Sequence, residues 1–358
     1  MIPDSQRLAY IEALRGIAIL MVILHHSHPY FASISNYHLP AAVEEILWNG
    51  DKGVTLFFLM SAFTLCLSLN SKSKKEHKPV RNYFIRRVFR IAPLYMIIIG
   101  VVLLIGINTP SLSSVLANLF FVHGLNANWM NSTVPGGWSV GVEVLFYLIF
   151  PVLFFRLKNL PAAINITLAA LVLAKIVTAV MSRYPLTGDS ITWGVYVYEN
   201  IFSQLPVFLI GVCLFQLKHT PVGQQERDSL VRCCYYLSAF ILIHLLGGNL
   251  FKPHYLFAIA FAIAAYALSE RPVKLLVNPI TLWIGRISYS LYLIHLLVNN
   301  LLVKYHLNVF SSNSLADVGI RFCVVLGISA PVAYITYRLI ELPFQEMGKR
   351  IIARLEHK

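Results

Sequence analysis

The sequence predicts an all-α, polytopic integral membrane protein of about ten transmembrane helices, with both termini on the cytoplasmic side. Three observations lead there. Of 358 residues, 57% are hydrophobic and only 13% charged, with mean hydropathy +0.67; a soluble domain has about 45–50% apolar and about 25% charged residues. Apolar runs near the roughly 20 residues a helix needs to cross about 30 Å of hydrocarbon recur along the chain. The 29 Lys and Arg residues are shared unevenly between alternate connectors. This composition excludes an ordinary soluble protein, a disordered chain and a secreted disulfide scaffold.

The runs are Leu8–Ser27, Gly53–Asn70, Ile91–Ile107, Trp138–Phe155, Pro161–Met181, Val195–Leu217, Cys233–Gly247, Tyr255–Ser269, Ile280–Val303 and Val318–Leu339. The first is not expected to be a signal peptide, because Arg15 interrupts it and no small-residue cleavage site follows His25-His26-Ser27-His28. With ten spans, the connectors on the N-terminal side hold twenty of the cations, eight of them from Lys72 to Arg90. The opposite side holds only Lys52, Arg183, Lys252 and Lys304. Cytoplasmic loops of membrane proteins carry such an excess of Lys and Arg. The net charge of +13 therefore reads as an orientation signal, and no nucleic-acid partner is expected. The five cysteines lie in apolar stretches without C-x-x-C spacing and read as small buried apolar residues. The longest connectors, Pro29–Lys52 and Asn108–Gly137, fall on the outer side, and loops of that length often line a site.

A charge at the bilayer centre costs on the order of 3 kcal/mol on insertion scales, so each intramembrane ionisable group needs a partner, a wet cavity or a task. The first run holds Glu12, Arg15, His25 and His26. Glu12 and Arg15 share a helix face and can form a structural ion pair. Arg15 and His26 are eleven residues apart, roughly 16 Å of helix rise and close to three turns, so they point nearly the same way. The fourth run places Ser139, Glu143 and Tyr147 four residues apart on one stripe. Glu143 then lies at a depth close to that of His26, where a carboxylate can fix an imidazole tautomer; the other reading is an ion pair of Glu143 with Arg286 or Arg321. Arg81, Arg86, Arg87 and Arg90 precede the third run. Clustered arginines suit bidentate phosphate binding, and equally serve as a plain topogenic signal. His25, His26 and His28 lack acidic or Cys companions at metal-site spacing, so no metal is expected.

Taken together, these segments resemble the acyltransferase family 3 of integral membrane O-acyltransferases. The matching stretches are Leu14-Arg15-Gly16 with Arg15-x10-His26, Gly53 to Phe63, Arg86-Arg87-x2-Arg90-Ile91-x-Pro93-x-Tyr95, Trp138-Ser139-x3-Glu143-x2-Phe146-Tyr147-x3-Pro151, Ser288 to His295, and Glu341-x-Pro343. They fall in the family's order across nearly the whole chain. Ala62 stands where the family usually has glycine, which bears on helix packing and removes no reactive group. The resemblance implies a transmembrane acyltransferase domain over 1–345 and a cytoplasmic basic tail over 346–358, without the soluble esterase-like domain fused to some relatives. It also implies an acyl-CoA donor, commonly acetyl-CoA, and a carbohydrate or other hydroxyl acceptor, free or lipid-linked. In this family the residues matching Arg15, His26 and Glu143 are associated with activity.

The expected mechanism has His26 as general base on an acceptor hydroxyl, with Glu143 orienting it. Arg15 contacts the donor within the membrane, and Arg86, Arg87 and Arg90 hold the CoA phosphates. Trp138, Ser139, Tyr147, Ser61 and His295 are expected on the substrate side, and Trp129, Trp138 and Trp193 are candidates for stacking on sugar rings. The expected location is the cell membrane, specifically a bacterial cytoplasmic membrane. The rival reading is a proton-coupled secondary transporter using the same Arg, His and Glu groups. Against it, the charged stretch Lys72–Arg90 has no counterpart in the second half.

Overall fold

The computed structural model describes residues 9–34, 37–218, 228, 231, 235, 238, 242 and 253–357. Among them every regular element is helical. In chain order these are α1 (Ala9–His26), a 3-10 turn η1 (Pro29–Ala32), α2 (Ala41–Asn49), α3 (Lys52–Lys72), α4 (Pro79–Ile105), α5 (Leu112–Leu119), a 3-10 turn η2 (His123–Leu125), α6 (Ala127–Met130), α7 (Trp138–Arg156), α8 (Leu160–Arg183), α9 (Ser190–Glu199) and α10 (Ile201–Lys218). There follow α11 (Pro253–Glu270), α12 (Pro279–Arg286), α13 (Ser288–Lys304), α14 (Ser314–Thr336), a π segment (Tyr337–Glu341) and α15 (Leu342–Glu356).

Seven of these stretches are long and apolar enough to cross a membrane, and the bent pair α12–α13 raises the number to eight. The protein is thus a multi-pass membrane protein, with seven or eight such spans among the described residues against the ten expected from hydropathy. The expected run Tyr255–Ser269 is present within α11, whereas Cys233–Gly247 lies outside the described residues, apart from isolated positions. The run Ile280–Val303 is corrected: it is two helices meeting at Ile287 with a bend of 77°. The third span is corrected as well. Its helix begins at Pro79 rather than Ile91, so Arg81, Arg86, Arg87 and Arg90 sit on helix and not in a connector. Its 27 residues are roughly 40 Å long, more than a hydrocarbon core of about 30 Å needs. Residues 346–356, within the expected basic tail, are helical as part of α15.

The chain divides into two units, one formed by residues 1–61 with 210–333 and the other by 62–209 with 334–358. In the first, α1 packs against α2, α11, α12 and α13. The α1–α12 contact is a backbone approach. A Cβ on Gly16 would sit 2.2 Å from the Thr281 carbonyl oxygen, and one on Gly285 would sit 1.8 Å from that of Glu12. Small residues that let helix backbones touch are the usual device of packing in lipid. Here they account for the break, since α12 must follow α1 at glycine distance while α13 departs in another direction. Asn278 caps α12 with a reciprocal Thr281 contact, and Arg286, beside the bend, pairs with Glu12 at 3.0 Å.

In the second unit, α4 packs against α5, the π segment and α15. The Glu356 carboxylate accepts hydrogen bonds from the His77 and Lys78 amides at 2.6 and 3.3 Å, and from Asn82 Nδ2 at 2.8 Å. It thereby satisfies orphan amides at the start of α4. Tyr83 donates to the Tyr147 carbonyl at 3.3 Å and stacks on Phe150, which ties α4 to α7.

Candidate active site

The first unit contains Arg15, His26, Ser61 and His295. Arg15 and His26 are both half-buried on α1, and Ser61 is half-buried on α3. His26 ends α1, and its Nδ1 lies 2.9 Å from the Val22 carbonyl oxygen and 3.2 Å from His295 Nε2. His295 is fully buried in the middle of α13, and its own Nδ1 lies 3.2 Å from the Leu291 carbonyl oxygen.

These contacts assign the tautomers. A carbonyl oxygen only accepts, so both Nδ1 atoms bear hydrogen. His295 Nε2 is then a lone pair that accepts from His26 Nδ1–H. His26 Nε2 is left as the basic nitrogen. Partners on one ring nitrogen decide what the other can do, the logic by which a supported histidine acts as a base. Val22 and His295 occupy the nitrogen at which a carboxylate acts in a Ser-His-Asp arrangement. The sequence points to His295 only as a substrate-side residue; the structure places it against His26. Its cues in the sequence are the matched stretch Ser288 to His295 and the placing of a His within an apolar run.

Rings gather around this pair. Phe31 lies 5.0 Å from His26 and 4.7 Å from His25, and Trp48 lies 5.7 Å from His25 and 4.6 Å from His28. His25 Nδ1 donates to the Leu47 carbonyl at 3.0 Å. Arg286 and Arg321, the alternative partners considered for Glu143, are engaged within the first unit: Arg286 with Glu12, and Arg321 with Asp317 at 2.6 Å and with the Asn308 carbonyl.

The second unit contains Glu143, Trp138, Ser139, Tyr147 and the arginines. Glu143 is half-buried on α7, with Ser139 and Tyr147 buried a turn to either side. Ser139 bonds the Gly136 carbonyl at 3.4 Å, and the Trp138 amide faces Asn131 at 3.4 Å. Arg86 pairs with Glu76 through two nitrogens, at 2.8 and 3.1 Å, and Arg81 pairs with Glu356 at 3.2 Å. Arg87 lies 5.8 Å over the Tyr147 ring, and its Nε is buried without a hydrogen-bond partner. Arg90 makes no hydrogen bond or ion pair among the described residues. The three arginines expected to act together are thus unequal: one is neutralised, one is stacked, one is uncompensated.

Buried polar residues that the sequence reading did not single out include His123 and Glu199. The His123 ring stacks on Tyr95 at 5.7 Å and its Nε2 donates to the Gly137 carbonyl at 3.0 Å. Burial lowers the His123 pKa, opposed by backbone hydrogen bonds. Asn131 donates to the Glu199 carboxylate at 2.8 Å.

A multi-pass helical protein with an oriented, apolar-seated histidine pair in one unit and a partly compensated arginine row in the other has the parts of an intramembrane group-transfer enzyme. The comparison with known families is consistent with this: residues 8–338 match the family 3 acyltransferase domain, and the chain belongs to that family. Relatives include the O-acetyltransferase OatA of Staphylococcus aureus strain NCTC 8325, 24% identical over 97% of this chain and 59% of its own length. A protein of Staphylococcus aureus strain COL whose name provisionally assigns it as an O-acetyltransferase is 26% identical over 94% of this chain and 57% of its own. The chain therefore spans less than two thirds of the length of these relatives. No solved structure matches it.

Proposed function

We propose that this chain is a membrane O-acetyltransferase that moves an acetyl group from acetyl-CoA to a hydroxyl of a cell-envelope carbohydrate in a bacterial cytoplasmic membrane. The observation that carries this reading is the His26 ring, held through Nδ1 so that Nε2 is free to take a proton. In the step proposed, Nε2 accepts the proton of the acceptor hydroxyl as its oxygen attacks the thioester carbonyl. The C–S bond then breaks, and the thiolate leaves with the proton returned from the imidazolium. Thiolate is a tolerable leaving group, so the step needs no metal. Arg90 and Arg87 hold the CoA phosphates, with Arg86 screened by Glu76. Arg15 contacts the donor deeper in the membrane, and Glu143 remains the family-matched carboxylate of the reaction. The charge distribution supports donor entry from the cytoplasmic side, where the positive-inside pattern puts the arginines.

Mass spectrometry of envelope glycans tests this, with the gene intact, deleted, and carrying His26→Ala or Glu143→Gln. An alkali-labile acetyl mass that is present only with the intact gene, and falls about a thousandfold in rate with His26→Ala, is the expected result. Wild-type acetylation in His26→Ala membranes would overturn it. Unchanged glycans together with altered uptake of a solute would establish a carrier instead.

A further inference from the structure

The rings beside His26 form more than a wall. Tyr30 is 63% exposed and Trp48 40% exposed, and the two rings lie 5.7 Å apart. Trp48 also touches Phe31, whose other neighbour is His26. The turn that presents Tyr30 and Phe31 is fixed from outside itself. Asn299 donates to the Phe31 carbonyl at 3.2 Å, Asn308 donates to that of Ala32 at 2.6 Å, and Ser33 closes the turn at φ 59°. Exposed aromatic rings held this firmly form a rigid platform with an apolar face and a wet edge, at little entropy cost to a ligand.

A polar slot accompanies the platform. His28 Nδ1 accepts from the Tyr30 amide at 3.1 Å, so its Nε2 bears hydrogen. That Nε2 is buried without a hydrogen-bond partner and stands 3.8 Å from Glu44 Oε1, too far for a direct bond. The Tyr37 ring packs edge-on against His28 at 5.1 Å. The Glu44 side chain is 39% exposed, so its carboxylate can accept from a hydroxyl arriving from outside, beside the buried His28 N–H. Alternating C–H faces and hydroxyls are the chemistry of a sugar ring. Interfacial Trp and Tyr also occur as lipid-facing belts, but Trp48 is packed on His25 and His28, and Tyr30 on Trp48 and Phe31.

We propose that Tyr30 and Trp48 are the acceptor subsite. A sugar ring stacks on their faces, one of its hydroxyls donates to the Glu44 carboxylate, and a neighbouring hydroxyl is presented toward His26. The inference rests on the acyl-transfer reading above and adds to it the residues that seat the acceptor. Trp193, another candidate for stacking, is 6% exposed, donates its Nε1 hydrogen to the Met181 carbonyl, and belongs to the second unit.

Full-length protein in detergent, assayed with acetyl-CoA and soluble fragments of the host's envelope glycan, provides the test. Trp48→Ala and Tyr30→Ala are expected to raise the acceptor KM about tenfold while the donor KM holds, and Trp48→Phe to restore most of it. Glu44→Gln is expected to raise the acceptor KM less, by about threefold. An unchanged acceptor KM in Trp48→Ala and Tyr30→Ala, with His26→Ala inactive, overturns the subsite and leaves the acyl-transfer reading standing. Binding is read separately, as the quench of tryptophan fluorescence by the same fragments in wild type and in Trp48→Phe. A quench lost in Trp48→Phe, in a protein that transfers no acetyl group, keeps the sugar platform and sinks the transfer reading. No quench in wild type overturns the platform.

Discussion

The histidine pair of the first unit and the arginine row of the second neutralise their polar groups in opposite ways. His26 and His295 are held by neutral carbonyls four residues back on their own helices and by each other, so the pair is oriented without formal charge. The arginines meet formal countercharge in Glu76 and Glu356, or a ring in Tyr147. A proton-transfer site in an apolar surrounding gains from fixed orientation and loses from an added charge, whereas an anion site must keep some charge uncompensated. Arg90, with neither ion pair nor hydrogen bond among the described residues, retains it.

The largest expected effect breaks the scaffold of the first unit. Gly285→Ala puts a methyl group 1.8 Å from the Glu12 carbonyl oxygen, and backbone cannot yield as a side-chain tip does. About 3 kcal/mol of stability is expected to be lost, read as a fall in Tm in detergent. Gly100→Ala in α4 meets nothing within 4 Å and is expected to leave Tm unchanged or slightly higher. Equal losses at both positions would show that α12 is not seated on α1 at glycine distance.

Next is the pair itself. His295→Ala leaves Val22 as the acceptor for His26 Nδ1 and removes the second one. It is expected to lower kcat about 30-fold with little change in either KM, and His295→Gln, which keeps an acceptor, to recover part of it. A rise in donor KM instead would place His295 among binding groups. The mirror experiment is Arg90→Gln, expected to raise the acetyl-CoA KM about tenfold with kcat nearly kept. Arg86→Gln is expected to cost only about twofold, because Glu76 already holds that guanidinium. Equal effects would mean that Glu76 releases Arg86 to the donor.

Much of this was legible in the sequence, for a physical reason. Hydropathy and charge placement act within a window of about 20 residues, so α1, α3, α7, α8 and α10 could be read directly. Arg15, His26 and Glu143 stand out as candidates because charge inside an apolar run is conspicuous; the first two fall in the first unit and Glu143 in the second. The break at Ile287 was not legible, since Ile280–Val303 reads as one apolar run. Its cause is a contact with Glu12, more than 270 positions away. The His26–His295 contact and the Glu356 clasp on α4 are hidden likewise, because each joins residues remote in sequence. Arg86 and Arg90 look equivalent in a motif; only the position of Glu76 separates them.

The smallest expected effect concerns acid, and it sharpens the comparison outside the spans. His28 in the first unit and His123 in the second both have pKa values lowered chiefly by burial. An imidazole whose folded pKa is lowered contributes stability that is complete above its unfolded value of about 6.5 and is lost as pH falls through that range. The two differ in what opposes burial. His28 faces the Glu44 carboxylate, which favours the imidazolium, whereas His123 has backbone carbonyl partners and no carboxylate. Between pH 7 and pH 5, amide exchange is therefore expected to quicken more across residues 112–137, around His123, than across 28–50, around His28, once corrected for intrinsic rates. Glu44→Gln is expected to narrow the gap by removing the carboxylate. Equal acid opening of both segments in wild type would show that Glu44 does not reach His28 in solution.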